Sequence, residues 1–405
     1  MAPSAPLDAA PLWHRARLDF ARVRRYRPWH SGHLGALVHC RDVTRRGSPH
    51  GDEVHLAAAV GWLERAQDAS AEGGIVGRYR MKGGWTSAYP ETTGYIVPTL
   101  LALAADGDDA YRRRAERAIA FLLGTQLDSG AFPAGEIAAN TVNPSPFNTA
   151  QIINGLLAWS AASGDATTLD AARRAGDWLV GVQDADGAWR KWYYHDTPAC
   201  YSAHLACWLA DLAAVTGDAA QRAAVERGLA WIMARHVPAN GWFEATGFTA
   251  AEQELRIADL HTIGYTLAGL LGIAAVLERE DVVDAVATAA RAVGQTLDRL
   301  GWLPGVLDHA WQARADSACL TGDAQMALVW LRLDELRPEA DWRRWADTAL
   351  DLVKAAQLVD SPNPGLRGGI PGCTPMWGWY NDGAVLSWSA KFFVDALLAR
   401  RRSKP

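Results

Sequence analysis

Several features that would assign a function directly are missing from this sequence. In 405 residues there are five cysteines, Cys40, Cys200, Cys207, Cys319 and Cys373, odd in number, scattered and never in a CxxC pair. That argues against a disulfide framework and a zinc knuckle, and fits a reducing cytoplasmic setting. No run of 18 apolar residues is uninterrupted, so no membrane span is expected. The Ala/Pro-rich start, Met1 to Leu12, lacks the basic start and apolar core of a signal peptide. Positive charge is not in excess: the formal net charge is -5 and the pI ≈ 6.1. Nucleic acid, whose phosphates need a basic face, is therefore not an expected ligand. GxGxxG, P-loop, GxSxG and HExxH patterns are all absent. The histidines show no close metal-ligand spacing, and neither a metal nor a cofactor is expected.

What is present is apolar and repetitive. Hydrophobic residues make up 49% and charged residues 21%, the balance of a globular protein with a large core. The chain is too long for one ordinary two-layer core, yet its composition does not shift along its length, which points to a single repetitive architecture. Nineteen tryptophans are present, rings that either fill a core or line a cleft.

One series of amphipathic segments ends in a shared turn. Phe121-Leu122 leads to Gln126, Gly130 and Phe132, and Trp178-Leu179 leads to Gln183, Gly187 and Trp189; Trp62-Leu63, Trp231-Ile232, Val293 and Leu352-Val353 open looser copies. A Gly after a polar residue stops a helix, and the aromatic behind it folds back as a latch. A second series follows each turn and is apolar on nearly every face, as a buried helix must be. Its aligned positions, Tyr95, Gln151, His204, Tyr265, Asp323 and Lys391, lie 56, 53, 61, 58 and 68 residues apart. Six outer helices thus alternate with six inner ones, and hairpins of this size close into an all-α, double-layered (α/α)6 toroid. An open superhelix is the rival arrangement. The small residues beside the aligned positions, Gly94, Ala150, Ala203, Gly264, Gly322 and Ala390, would let inner helices approach closely near one rim.

Residues 1–50 lie outside the repeats and are read as an N-terminal arm or helix packed on the toroid of residues 51–405. Arg15, Arg17, Arg22, Arg24, Arg25 and Arg27 interleave there with Trp13, Leu18, Phe20 and Val23. Solvated arginines on a packed arm are the first reading; peripheral contact with a membrane surface, or with a partner, is the second. Arg400-Arg401-Arg402 reads as a frayed, solvated end.

In a toroid the connections leading into the inner helices gather at one end, so distant residues converge there. Glu91, in Tyr89-Pro90-Glu91-Thr92-Thr93-Gly94-Tyr95, sits at a helix start where the dipole would hold it ionised and Thr92 or Thr93 would cap the helix. Its counterpart in the opposite, fourth repeat is His261, so the two are expected to face each other across the cavity mouth. Asp323, His204, Tyr95 and Tyr265 complete the candidate acid and base set. An Asp323–Lys391 ion pair between adjacent repeats is the alternative to a catalytic Asp323. His195-Asp196 and Asn381-Asp382 are further loop candidates.

The hairpins and the Gln-x-x-x-Gly-x-Phe/Trp turn resemble the toroids of two superfamilies: the six-hairpin glycosidases and polysaccharide lyases, and the terpenoid cyclases and prenyltransferases. Segments such as Phe147-Asn148-Thr149-Ala150-Gln151 and Cys319-Leu320-Thr321-Gly322-Asp323-Ala324-Gln325 also resemble poorly characterised bacterial toroid proteins associated with polysaccharide biosynthesis. The first likeness implies a carbohydrate-active enzyme with a glycan or other small-molecule substrate. Trp85, Trp189, Trp302, Trp377 and Trp379 would then stack on sugar rings, and Asn148, Gln151, Asp382, Lys391 and Arg78 would bind substrate polar groups. The reaction would be glycosidic hydrolysis by two acids, or proton abstraction from a uronate by a Tyr or His while an amide or Arg78 neutralises the carboxylate. The second likeness implies an isoprenoid enzyme, but the D-x-D-D-T-A acid motif of protonating cyclases is reduced here to Thr321-Gly322-Asp323-Ala324. A non-catalytic toroid that binds a glycan or a protein is the third reading.

Overall fold

The structure, a computed structural model, describes residues 24–105, 107–137 and 143–402. A short helix α1 (His33–His39) precedes the repeats. The six hairpins then follow in order: α2 (Asp52–Asp68) and α3 (Pro90–Ala104), α4 (Asp109–Thr125) and α5 (Pro146–Ser163), α6 (Ala166–Gly181) and α7 (Ala203–Thr216). In the fourth, α8 (Ala219–Met233) is followed by the short α9 (Ala250–Glu254) and then α10 (Leu260–Leu277). The last two are α11 (Glu280–Leu300) with α12 (Leu320–Leu336), and α13 (Ala340–Ala356) with α14 (Ser387–Arg402).

The inner helices form a closed circuit. α3 packs on α5, α5 on α7, α7 on α10, α10 on α12, α12 on α14, and α14 returns to α3. The open superhelix is excluded by that last contact and by the packing of α14 on α2. Burial follows the sequence pattern: α10, apolar and long enough to cross a membrane by composition, is an inner helix mostly enclosed by its neighbours. The small residues act as expected. A Cβ on Gly94 would come within 2.7 Å of the Ile152 backbone, and one on Gly322 within 2.8 Å of Leu260.

The shared turns tie the outer layer together. Gln67, Gln126 and Gln183 each donate through Nε2 to the carbonyl of their own turn glycine, Gly73, Gly130 and Gly187, at 2.9–3.0 Å. The same amide groups donate to the carbonyls of Arg114, Ala171 and Ala224 on the next outer helix, each at 2.9 Å. Gln357 repeats the pattern across the seam, donating to Gly368 at 2.8 Å and to the His55 carbonyl of α2 at 3.1 Å. These glutamines, Gln67 and Gln357 buried and Gln126 and Gln183 half-buried, thus satisfy carbonyl groups that would otherwise be orphaned between helices.

The chain is dominantly helical, and short strands of two or three residues stitch the connections at the mouth. The largest sheet joins Gly84–Trp85, Arg78–Arg80 and Ala384–Leu386, pairing Arg78 with Leu386 and so linking the first and last connections. Arg400 also departs from expectation. It is buried and paired with Asp52 and Asp347, so α14 ends docked against the start of α2. Arg15, Arg17, Arg22, Trp13, Leu18, Phe20 and Val23 lie outside the described residues, whereas Tyr26 is buried and α1 packs through His33 and Ala36.

Candidate functional site

Inner helices begin at one face, and their first turns bring together the polar residues named from sequence. α3 starts at Pro90, whose fixed φ suits the first helical position. Thr92 and Thr93 lie inside that first turn and do not cap it: Thr93 Oγ1 instead accepts from the Ile75 backbone N–H at 2.9 Å, pinning the incoming loop. Thr149 does the same for Phe132 in the second repeat, also at 2.9 Å.

Glu91 is 8% exposed, and Tyr89 donates its phenol to Glu91 Oε2 at 2.6 Å. Burial pushes the carboxyl up to about 7, against the lowering influence of Tyr89 and of Arg78 nearby. Loss of hydration outweighs the helix dipole, so near neutrality Glu91 is shared between its neutral and ionised forms instead of being held ionised. Arg78 donates to Glu136 Oε1 at 2.7 Å and to Asn381 Oδ1 at 2.8 Å, and lies 5.1 Å over the Trp388 ring. Glu136 is thereby a second carboxylate tied to the arginine that acts on Glu91.

Repeats one and four are opposite in the observed circuit, as inferred. His261 Nδ1 donates to Gln325 Oε1 at 2.8 Å, and His204 Nδ1 donates to Gln151 Oε1 at 2.9 Å, an oxygen that also accepts from Trp208 at 3.1 Å. Trp208 fixes which end of the Gln151 amide faces His204, so His204 carries its proton on Nδ1 and keeps the Nε2 lone pair; His261 takes the same form where Gln325 presents Oε1. Burial lowers His261 to about 4 and lowers His204 as well, so both are neutral imidazoles. Tyr265 lies between them, its ring 4.3 Å from His261 and 4.6 Å from His204. The phenols of Tyr265 and Tyr95 are both raised by burial, and both feel the Glu91 charge. Phe147, 5.1 Å from Tyr265 and 5.4 Å from Tyr201, extends the aromatic wall on one side. Tyr380, 5.5 Å from His261 and accepting from Trp388 Nε1 at 3.0 Å, closes it on the other.

Of the remaining candidates, Lys391 and Asn148 reach this cluster, at Tyr95 and Tyr89, and most of the others lie apart from it. Asp323 is completely buried and neither carboxyl oxygen has a hydrogen-bond partner, so burial raises its pKa. The proposed Asp323–Lys391 pair is not formed. Lys391 pairs with Asp395 one turn along its own helix at 2.8 Å and lies 5.3 Å over Tyr95. Trp189 is a latch in the outer layer, buried, with its indole N–H on the Leu179 carbonyl at 3.0 Å. Trp302 is likewise packed against the core just after α11. Trp85 is packed between Trp62 and Tyr79, at 5.2 and 5.3 Å. Asp382 grips the arm, accepting from Tyr26 at 3.2 Å and pairing with Arg25 at 2.8 Å. Asn148 is buried and donates to the Pro133 carbonyl at 3.2 Å. Trp377 and Trp379 are exposed on the last connection, and Trp379 donates to Asp259 Oδ1 at 2.9 Å. His195 and Asp196 sit in a loop with left-handed backbone, and Asp196 accepts from the Trp192 N–H.

Sequence reading missed Tyr89, Asp259, Glu136, Gln325 and Tyr380. Asp259, buried and raised to about 7, occupies in repeat four the place that Tyr89 occupies in repeat one, two residues before the candidate acid or base. That register was the available signal. Among the described residues no group of three or more His, Cys, Asp or Glu side chains is placed to hold a metal ion.

No protein-family model matches this chain, and no curated protein matches its sequence. Solved structures do share its fold. An unsaturated glucuronyl hydrolase specific for heparin superposes with a TM-score of 0.69 at 13% identity, over 87% of this chain and 98% of its own. Cellobiose 2-epimerase from Bacillus thermoamylovorans gives 0.68 at 13% identity, over 86% and 98%. An alpha-amylase from Clostridium perfringens gives 0.65 at 13% identity, over 87% and 99%. The chain therefore shares the (α/α)6 toroid fold of these structures.

Proposed function

We propose that this protein is a carbohydrate-active enzyme in which Glu91 transfers the proton at the mouth of the toroid. The observation that carries the reading is the Glu91 carboxyl itself: buried, raised to about 7, and bonded to Tyr89 among phenols and neutral imidazoles. A group that titrates near neutrality both gives and takes a proton readily. Hydrolysis of a glycosidic bond is the favoured reaction, with Glu91 as general acid and Glu136, tied to Arg78, as the second carboxylate. The exposed Trp377 and Trp379 supply stacking faces beside the mouth. The superposable structures include a glucuronyl hydrolase and a cellobiose 2-epimerase, which supports sugar chemistry on this fold, although a shared fold hosts unrelated reactions.

A second reading rests on His204 and His261, neutral imidazoles whose rings flank Tyr265. They suit proton abstraction next to a sugar carbonyl or carboxylate, as an epimerase or lyase requires. The two reactions separate on one panel of neutral and uronate oligosaccharides. Hydrolysis releases new reducing ends; epimerisation carries deuterium from solvent into the sugar, read by NMR. Under the first reading Glu91→Gln should lower kcat by about 10²-fold or more with a smaller effect on KM. Thermal stabilisation by isoprenoids alone, with no sugar bound or turned over, would remove the proposal.

A further inference from the structure

Charge is segregated along this chain. Residues 1–50 hold nine arginines against three aspartates, a net of +6, while residues 51–405 carry a net of -11. Within the described part of that segment, Arg24, Arg25, Arg41, Arg45 and Arg46 are exposed, and Asp42 is its one acidic side chain.

Large apolar side chains are exposed on the same segment: Trp29 is 64% accessible, Leu34 58% and Val38 50%. Leu34 and Val38 are one turn apart on α1, hence on one face, while its other face buries His33 and Ala36. Trp29 stands in the turn leading into that helix. The display is anchored. His33 Nδ1 bonds the Tyr26 carbonyl at 2.9 Å, Cys40 Sγ donates to the Ala356 carbonyl at 3.2 Å, and the Met376 N–H donates to the Cys40 carbonyl at 2.9 Å. More positive charge lies alongside. The Met81 N–H bonds the Gly383 carbonyl, and Gly383 lies against the Tyr26 ring, so the hairpin tip carrying exposed Arg80 and Lys82 adjoins the arm.

Protein interfaces tend to exclude charge from their apolar centres, whereas membrane-surface segments combine a Trp/Leu wedge with flanking cations. We propose that this face is a docking surface for an anionic lipid bilayer. Trp29, Leu34 and Val38 enter the boundary between headgroups and acyl chains, and the arginines meet lipid phosphates. The negative charge of the remaining chain repels the same bilayer, so only the arm face approaches it.

The test is flotation of the full chain with phosphatidylcholine vesicles, with and without phosphatidylglycerol, at low and high salt. The chain should float with the anionic vesicles, stay behind with the neutral ones, and be released as salt rises. Two variants probe the two components: Leu34→Ser with Val38→Ser, and Arg41→Glu with Arg45→Glu, where Arg45 bonds His39 Nδ1 and the His39 carbonyl on its own segment, each at 3.2 Å. Each should lower partition by about tenfold or more while circular dichroism, Tm and any turnover stay unchanged. Absence of flotation on anionic vesicles at low salt would overturn the proposal, and so would equal binding to neutral vesicles. Wild-type partition by both variants would do the same, as would a dimer that buries Leu34 and Val38 and persists in the presence of vesicles.

Discussion

At Glu91 two effects act on one carboxyl in opposite directions. A helix N-terminus favours its charge by about 0.3–1 kcal/mol, whereas a rise from 4.5 to about 7 amounts to roughly 3 kcal/mol against it. Burial wins. Because the folded pKa lies above the unfolded one, the stability linked to Glu91 is full below about 4.5 and is lost as pH rises through about 7. Asp259 acts in the same sense over 3.8 to about 7. The wild-type Tm should therefore fall with pH across this window more steeply than that of Glu91→Gln, measured by differential scanning fluorimetry. Parallel curves would contradict the assignment of a raised pKa. The sequence showed Glu91 because Pro90 and the helix start lie beside it. It hid the partners that decide its behaviour and that of His261: Gln325 lies 64 residues from His261, and Arg78 acts from a strand. Likewise, the aligned ring placed Asp323 and Lys391 near each other in rank but said nothing of Asp395, which takes the lysine.

The shared turn was legible as a spaced Gln, Gly and aromatic; its acceptors on the following helix were not, because they are backbone carbonyls of ordinary residues. Two substitutions measure what the turn contributes. Gly187 has φ 94° and a Cβ there would lie 2.3 Å from the Arg227 carbonyl oxygen, so Gly187→Ala should cost more than about 2 kcal/mol in urea unfolding. Gly181, with nothing within 4 Å of an added Cβ, is the control, and Gly181→Ala should be neutral or slightly stabilising. Equal effects at the two glycines would refute the close-approach argument. Gln183→Ala strips the carbonyls of Gly187 and Ala224 of their shared donor and should cost about 1–3 kcal/mol. The short strands at the mouth had no pattern to announce them, since two or three residues are too few to show a period.

Across the whole molecule, repeat length foretold helical hairpins, but five near-equal spacings between six repeats do not by themselves distinguish a circle from a spiral. Closure is written in contacts between the ends: Gln357 with His55, Lys354 with Asp52 at 3.4 Å, and Arg400 with Asp52. Such a circle has no topologically privileged beginning. The termini can be joined covalently and a new start cut at the exposed Gly164 turn, leaving Asp165 as the N-cap of α6. Such a circular permutant should keep the parent's helical circular dichroism and a single calorimetric unfolding transition. Two separate transitions would mean that the chain order, rather than the closed circuit, makes the hairpins one cooperative unit.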